Sequence, residues 1–169
     1  MMVVNIQSLN ESPKTYPIVS NAPWVEASAL RALDMPAETL TGSVSLTRQG
    51  RRVMAEGEVS ISFHANCVRC DELTDVAYTF NFEHAFRREE EHGAGEVELE
   101  ETELNVGWYS GDDLELADVL AEVIALIVDT HYQCADKAMC DTRTAKMLAD
   151  VTSDDRGHPA FQILRDLKQ

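Results

Sequence analysis

Cysteine is sparse in this chain, which has four cysteines in 169 residues. Small secreted domains that depend on disulfide bonds carry many more cysteines for their length. A chain of this size buries about 70% of the surface that its unfolded form exposes, so a hydrophobic core can form without disulfide bonds. The composition therefore excludes a disulfide scaffold and predicts a single domain over residues 1–169.

A secretory leader and a membrane-spanning run are also lacking. The first residues, Met1-Met2-Val3-Val4-Asn5, have neither the positive charge nor the apolar run of a signal peptide. The longest apolar region, Val119 to Val128, contains Glu122 and is too short to span a bilayer. We therefore expect a soluble, cytoplasmic protein without a membrane partner.

Basic residues are scarce, since 14 lysines and arginines face 30 acidic residues and the net charge is −16. Nucleic-acid backbones are bound by clustered basic side chains, so this balance argues against direct nucleic-acid binding. Between Glu89 and Asp136 there is no lysine or arginine. This acidic stretch is either a solvated face that keeps the protein soluble or a docking surface for a basic partner.

One basic cluster lies in the first half of the chain, at Arg48, Arg51 and Arg52. Two interpretations stay open. The three arginines can be ordinary solubilising residues at a hairpin turn, or they can contact phosphate.

The clearest local pattern surrounds a pair of cysteines. Apolar and polar residues alternate over 59–64 and again over 76–83, which is the period-two pattern of half-buried strands. Between these segments stands Cys67-Val68-Arg69-Cys70. The pattern predicts a β-hairpin with two thiols at its tip.

Two cysteines separated by two residues can bind the same metal ion, and zinc is the usual ion for such pairs. The other two ligands are then Cys134 and Cys140, although their spacing is wider than usual. The candidate metal ligands are thus Cys67, Cys70, Cys134 and Cys140, with zinc as the expected cofactor. His64 and His131 are alternatives to a missing thiolate. Reduced inert thiols and a redox pair also stay open, although a thioredoxin-like pair opens a helix and this one is flanked by strands.

The predicted fold class is α+β, with an antiparallel β meander or a small partly open barrel packed by an amphipathic helix, followed by a helical C-terminal tail. We expect an N-terminal segment over 1–39, the sheet and main helix over 40–128, and the cysteine-containing tail over 129–169. In the first half of the chain after residue 20 we expect a helix capped by Asn21 and strands over 40–48 and 53–57. A flexible loop is expected over 86–96, after which Val97 and Leu99 alternate with glutamates, and a strand or turn is expected at 105–111. A helix over 114–128 is expected to be capped by Asp112 or Asp113 and to have Ile127 on its apolar face, and tail helices are expected over 142–151 and 158–168.

The order of these pieces resembles the YceD family, whose members are described as large ribosomal RNA subunit accumulation proteins. The resemblance covers most of the chain from about Leu40 onward, and the order of several short motifs carries it. The matching residues are Leu40-Thr41-Gly42, Gly57 through Cys67-Val68-Arg69-Cys70, Asp113-Leu114-Glu115-Leu116, Cys134, Cys140, and Pro159-Ala160-Phe161 with Leu164, Leu167 and Lys168.

The resemblance implies a role in the synthesis, processing or stability of large-subunit ribosomal RNA, and it carries over no catalytic residue. The acidic charge favours a basic partner, and together with the resemblance it implies a basic protein of the large ribosomal subunit or of its assembly machinery. A structural zinc-binding interaction module of unrelated role is the alternative. An enzyme built on Cys67 and Cys70 is a further alternative, but the sequence has no Ser-His-Asp set, phosphate-binding glycine loop or His-Glu-x-x-His motif, and no small-molecule substrate is evident.

Overall fold

The computed structural model describes residues 2–89 and 106–152, with side chains through residue 150. Within this part of the chain the elements follow in this order: β1 Val3–Asn5, a 3-10 turn Ile6–Ser8, β2 Lys14–Ile18, α1 Pro23–Leu33, β3 Thr39–Gln49, β4 Arg52–Asn66, β5 Leu73–Arg88, β6 Val106–Tyr109, β7 Asp113–Glu115, α2 Leu116–Ile127 and α3 Lys137–Thr152.

Five strands form the main sheet in the order β2-β3-β4-β5-β6, and β1 pairs with β7 in a separate two-stranded sheet. The pairs β2–β3 and β3–β4 are antiparallel, whereas β6 runs parallel to β5. The α+β fold with a meander is therefore confirmed. In the described residues the sheet ends at β2 on one side and β6 on the other, so it is an open sheet there rather than a closed barrel.

The chain divides into two compact units. The first comprises Met1–His64 and Asp75–Thr130, and it contains nearly all of the sheet with α1 and α2. The second comprises Ala65–Thr74 and His131–Gln169, and its described part contains the cysteine turn and α3. The single domain over 1–169 remains a prediction.

The core of the first unit is built by side chains that alternate along the strands and recur along the helices. Val53, Ala55, Val59, Ile61 and Phe63 on β4 are buried, as the period-two pattern predicts. The helices α1 and α2 pack against each other. Because each helix presents an apolar side, this packing removes both sides from water. Arg31 of α1 adds ion pairs with Glu115 and Asp118 at the α2 end.

Close packing of β3 on β4 depends on two glycines. Gly42 has a φ of 143°, a value that L side chains rarely adopt, and a Cβ there would lie 2.0 Å from the Glu58 carbonyl oxygen. A Cβ on Gly57 would lie 2.0 Å from the Ser43 carbonyl oxygen. The two strands approach at these points more closely than any side chain permits.

Both predicted helix caps are wrong. The residue before α1 is Ala22 rather than Asn21, and the residue before α2 is Glu115, and neither makes a side-chain capping bond. Asp113 lies in β7, where it pairs with Asn5 and accepts a hydrogen bond from the Asn5 side chain. Asp113, which the sequence pattern assigned to a helix cap, is therefore part of a strand pair instead.

Several other predicted boundaries also shift. The strand β5 continues through Arg88, into the segment predicted as a loop, and α3 begins at Lys137 instead of residue 142. Ile127 is 39% exposed, and Val128 is buried instead. The alternating segment with Val97 and Leu99 and the predicted helix at 158–168 lie outside the described residues.

Candidate metal centre

The turn between β4 and β5 presents Cys67 and Cys70. Its backbone is closed by two hydrogen bonds, since the Cys67 N–H donates to the Glu72 carbonyl oxygen and the Asp71 N–H donates to the Cys67 carbonyl oxygen, both at 2.9 Å. Asp71 adopts the left-handed region at φ 55°, which aspartate tolerates better than most residues. The tight turn buries both thiols on the same side of the loop.

The other two cysteines lie at the start of α3. The Val68 N–H donates to the Tyr132 carbonyl oxygen at 2.9 Å, which connects the turn to the segment that precedes the helix. The Asp136 carboxylate accepts a hydrogen bond from the Met139 N–H at 3.0 Å, as a residue at a helix start commonly does. Cys134 therefore precedes the helix, and Cys140 lies in its first turn. The spacing between the two cysteines is wide because α3 begins between them.

The four sulfur atoms lie within 4.8 Å of one another. The Cys67 and Cys140 sulfurs are 3.7 Å apart, and those of Cys70 and Cys134 are 3.5 Å apart. Four thiolates at about 2.3 Å from a tetrahedral zinc ion stand about 3.8 Å from each other, so these separations fit such an ion with small adjustments. The four cysteines could hold a metal, as the sequence indicates, and metal binding itself remains a prediction.

Neither histidine belongs to this group in the described part of the chain. The His64 Nδ1 is 2.7 Å from the Asp75 carboxylate, and its Nε2 is 3.7 Å from that of Glu38. His131 is not among the residues whose ligand atoms converge with the four sulfurs. The donor set is therefore four sulfurs, which is typical of structural zinc sites.

Two ion pairs surround the sulfur cluster. The Arg69 guanidinium, from the cysteine turn, is 2.6 Å from the Asp141 carboxylate, and Arg143 is 3.8 Å from Glu72. The Thr144 hydroxyl donates to the Cys140 carbonyl oxygen at 2.8 Å. The interpretation of the sequence did not include the pair of Arg69 and Asp141, although opposite charges beside Cys70 and Cys140 are a usable signal. The two ion pairs connect the cysteine turn to α3.

The thiols differ in acidity. Backbone N–H groups of Arg69 and Cys70 donate to the Cys67 sulfur and lower the pKa of Cys67 to about 6, against the effect of its burial. Hydrogen bonding with the Cys70 sulfur and burial raise the pKa of Cys134 to about 12. Burial is the main cause that raises the pKa of Cys140. At neutral pH the metal-free cluster therefore has Cys67 as a thiolate and Cys134 and Cys140 as thiols.

This difference predicts that metal binding at pH 7 releases at least about two protons, because Cys134 and Cys140 must ionise to become ligands. Cys67, with a pKa of about 6, contributes little to the release. The released protons are products of binding, so lowering their concentration favours the metal-bound form, and the apparent zinc affinity rises with pH above 7. Calorimetric titration with zinc in buffers of different ionisation enthalpy measures the number released. Binding with no proton release contradicts the assignment.

Among the described residues, no helix combines the length and apolar character that crossing a membrane requires.

The fold and the site together define a class of protein. It is an α+β chain with a cluster of four thiols, two of which come from the turn between β4 and β5. The family described as "Large ribosomal RNA subunit accumulation protein YceD" matches residues 55–168, which include most of β4, all of β5 and all four cysteines. The chain therefore belongs to the YceD family. Comparison with curated proteins and comparison with solved structures each give no match. The family description implies a role in the accumulation of large-subunit ribosomal RNA and does not describe an enzyme class.

Proposed function

We propose that this protein is a non-enzymatic, cytoplasmic factor that supports the synthesis, processing or stability of large-subunit ribosomal RNA. The observation that carries the proposal is the family match over residues 55–168. In this proposal a structural zinc ion is bound by Cys67, Cys70, Cys134 and Cys140, and the protein docks a basic ribosomal or assembly protein.

The small core of the second unit supports the zinc assignment. In the described part of this unit the buried side chains are Ala65 and three of the cysteines, and Cys134 is half-buried. A core of this size stabilises little by itself, and small units of this kind usually contain a metal or disulfide bonds. The four cysteines are free thiols. Zinc supplies the missing stabilisation, and four protein ligands leave no open position for catalysis.

The charge distribution supports a basic partner. Within the acidic stretch, four of the described carboxylates make contacts inside the first unit: Asp112 with Arg88, Glu115 and Asp118 with Arg31, and Glu122 with His84. These groups are already used within the fold. The remaining acidic side chains of the stretch include Glu96, Glu98, Glu100, Glu101 and Glu103, which lie outside the described residues. We assign docking of the basic partner to this glutamate-rich segment, residues 96–103.

Deleting the gene tests the cellular role. We expect a selective loss of mature large-subunit ribosomal RNA relative to small-subunit RNA from the same cells, restored by the wild-type gene. Quantification of precursor and mature species of both subunits measures the effect. If the ratio of large-subunit to small-subunit RNA in the deletion strain equals that of the wild type, the proposed function is overturned.

Capture of proteins from cell lysate at low and high salt tests the docking segment. Replacing the five glutamates of residues 96–103 by glutamine is expected to lower the capture of basic large-subunit ribosomal or assembly proteins, and high salt is expected to do the same. The matched control replaces five exposed glutamates that have the same total charge: Glu11, Glu26, Glu56, Glu58 and Glu83. Equal loss from both sets shows a non-specific effect of net charge and removes the segment as the docking site.

A further inference from the structure

One end of the main sheet is basic although the chain as a whole is acidic. Four of its strands carry lysine or arginine at or beside this end, and no acidic residue occurs between residues 39 and 55. The residues of this basic end are Lys14 on β2, Arg48 on β3, Arg51 and Arg52 at the β3–β4 turn, and Arg87 and Arg88 at the end of β5. They are six of the 14 basic residues of the chain.

The strand register brings Arg52 and Arg87 together. Ser60 of β4 contacts Thr79 of β5 at 3.0 Å, and His64 contacts Asp75 at 2.7 Å, so the two strands run antiparallel. Continuing the same register to the basic end places Arg52 opposite Arg87. The burial pattern agrees, because the next residues on these strands, Val53 and Phe86, are both buried on the other face of the sheet.

An exposed aromatic ring continues this row. Arg87 pairs with Trp108 in the parallel register between β5 and β6, so the two side chains share one face of the sheet. Trp108 is 43% exposed, whereas the other tryptophan of the chain, Trp24, is buried. The outer face therefore presents two arginines and a tryptophan on three neighbouring strands.

Acidic groups limit how strongly this row attracts an anion. Glu56 and Glu83 follow on the same face, farther from the basic end, and Arg88 pairs with Asp112 at 3.2 Å. Arg51 and Arg87 also have contacts within the chain. Two arginines directly opposite on neighbouring strands repel each other, and an anion bound by both removes that repulsion.

We propose that this face binds single-stranded RNA, with phosphates held by Arg52 and Arg87 and a base stacked on Trp108. Arginines beside an exposed aromatic ring are the combination that binds single strands, because the cations hold the backbone and the ring stacks with a base. The choice of RNA over other polyanions rests on the proposed function. The inference departs from the expectation from composition, because it rests on a local basic cluster in a chain whose net charge is −16.

Binding of a labelled polyuridine strand of about ten nucleotides tests the inference. Fluorescence anisotropy with the full chain at about 50 mM salt is expected to show binding that weakens as salt is added. The double variant Arg52→Gln/Arg87→Gln is expected to bind about tenfold more weakly, with a salt slope smaller by about 1.4, because two phosphate contacts are lost. Trp108→Ala is expected to lose about tenfold, and Trp108→Phe to recover most of it.

The matched control is Lys137→Gln/Lys146→Gln, which changes the net charge equally at two exposed positions of α3. We expect its RNA affinity to equal that of the wild type, and thermal unfolding of all variants confirms that they are folded. Absence of RNA binding, equal weakening by both double variants, or equal binding of a polyglutamate peptide overturns the inference. The measurement is independent of RNA accumulation in cells. Accumulation that is lost on gene deletion and fully restored by a binding-deficient variant contradicts the inference and leaves the proposed function intact. If RNA accumulation is unchanged on gene deletion while the variants still differ in RNA binding, the proposed function is contradicted and the inference is left intact.

Discussion

Replacing Cys140 by serine is expected to reduce bound zinc from about one ion per chain to near none and to melt α3. Cys140 is 1% exposed, and its sulfur lies 3.7 Å from that of Cys67. A serine hydroxyl does not ionise at neutral pH, so the variant retains three thiolate ligands and leaves a polar oxygen in a buried position. Metal analysis after anaerobic purification measures the loss of zinc.

The structural consequence follows from how little else is buried in this unit. In the described residues of Ala65–Thr74 and 131–150, only Ala65 and the cysteines supply buried apolar groups. The side chains of α3 are otherwise mostly exposed, so the helix has no apolar core that would hold it in place without the metal. A fall in helical circular dichroism, reproduced in the wild type by a chelator, is the expected result.

The control for this experiment is His131→Ala, because this histidine lies three residues from Cys134 and outside the sulfur cluster. The variant is expected to retain zinc and helicity. Three results contradict the assignment: a zinc-free wild type, a Cys140→Ser variant that binds zinc as the wild type does, or loss of zinc in His131→Ala. In each case the cluster is better described as reduced thiols or as a different ligand set.

The sequence predicted those features whose signal is local. Alternation of apolar and polar residues marks β4 and β5, and the cysteine turn between them is where the pattern places it. The apolar periodicity of α2 likewise predicts most of its buried face. These patterns are readable because each residue's environment is set by its own strand or helix.

Features set by distant parts of the chain were not predicted. The β6 strand pairs in parallel with β5, and parallel pairing depends on the path of the connection between them. Asp113 has the residue type of a helix cap, yet it lies in β7 and pairs with Asn5 of β1. Ile127 has the right period for the core, but it is the last residue of α2 and is partly exposed.

Spacing predicted the Cys67 and Cys70 half of the candidate metal centre, whereas only the residue type predicted the Cys134 and Cys140 half. The interval between Cys134 and Cys140 is wider than in common zinc motifs, because a helix start lies between them. Asp136 receives a hydrogen bond from the Met139 N–H there and is a recognisable signal for that start. The contact between Arg69 and Asp141 joins residues far apart in sequence, so their opposite charges beside Cys70 and Cys140 indicate it only once the four cysteines are grouped as one site.

The close approach of β3 and β4 leads to the second large expected effect. Gly57→Ala is expected to lower the free energy of unfolding by about 3 kcal/mol, because its methyl group meets backbone that has little freedom to move. The nearest atoms are the Ser43 carbonyl oxygen at 2.0 Å and its carbonyl carbon at 3.0 Å, followed by a ring carbon of Phe82 at 3.1 Å. Relief requires separating two paired strands in the middle of the sheet, where Ser43 pairs with Glu58 and Val44 pairs with Gly57.

Gly50→Ala is the matched control for this prediction. Gly50 has a φ of 61°, and no atom lies within 4 Å of the position that a Cβ would occupy. This variant therefore carries only the cost of a left-handed backbone, about 1 kcal/mol. Urea unfolding followed by tryptophan fluorescence measures both variants, and buried Trp24 reports on the first unit. If Gly57→Ala costs no more than Gly50→Ala, the strands tolerate a side chain at their closest point. If Gly57→Ala lowers the free energy of unfolding more than Gly50→Ala does, the close approach of β3 and β4 requires glycine at position 57.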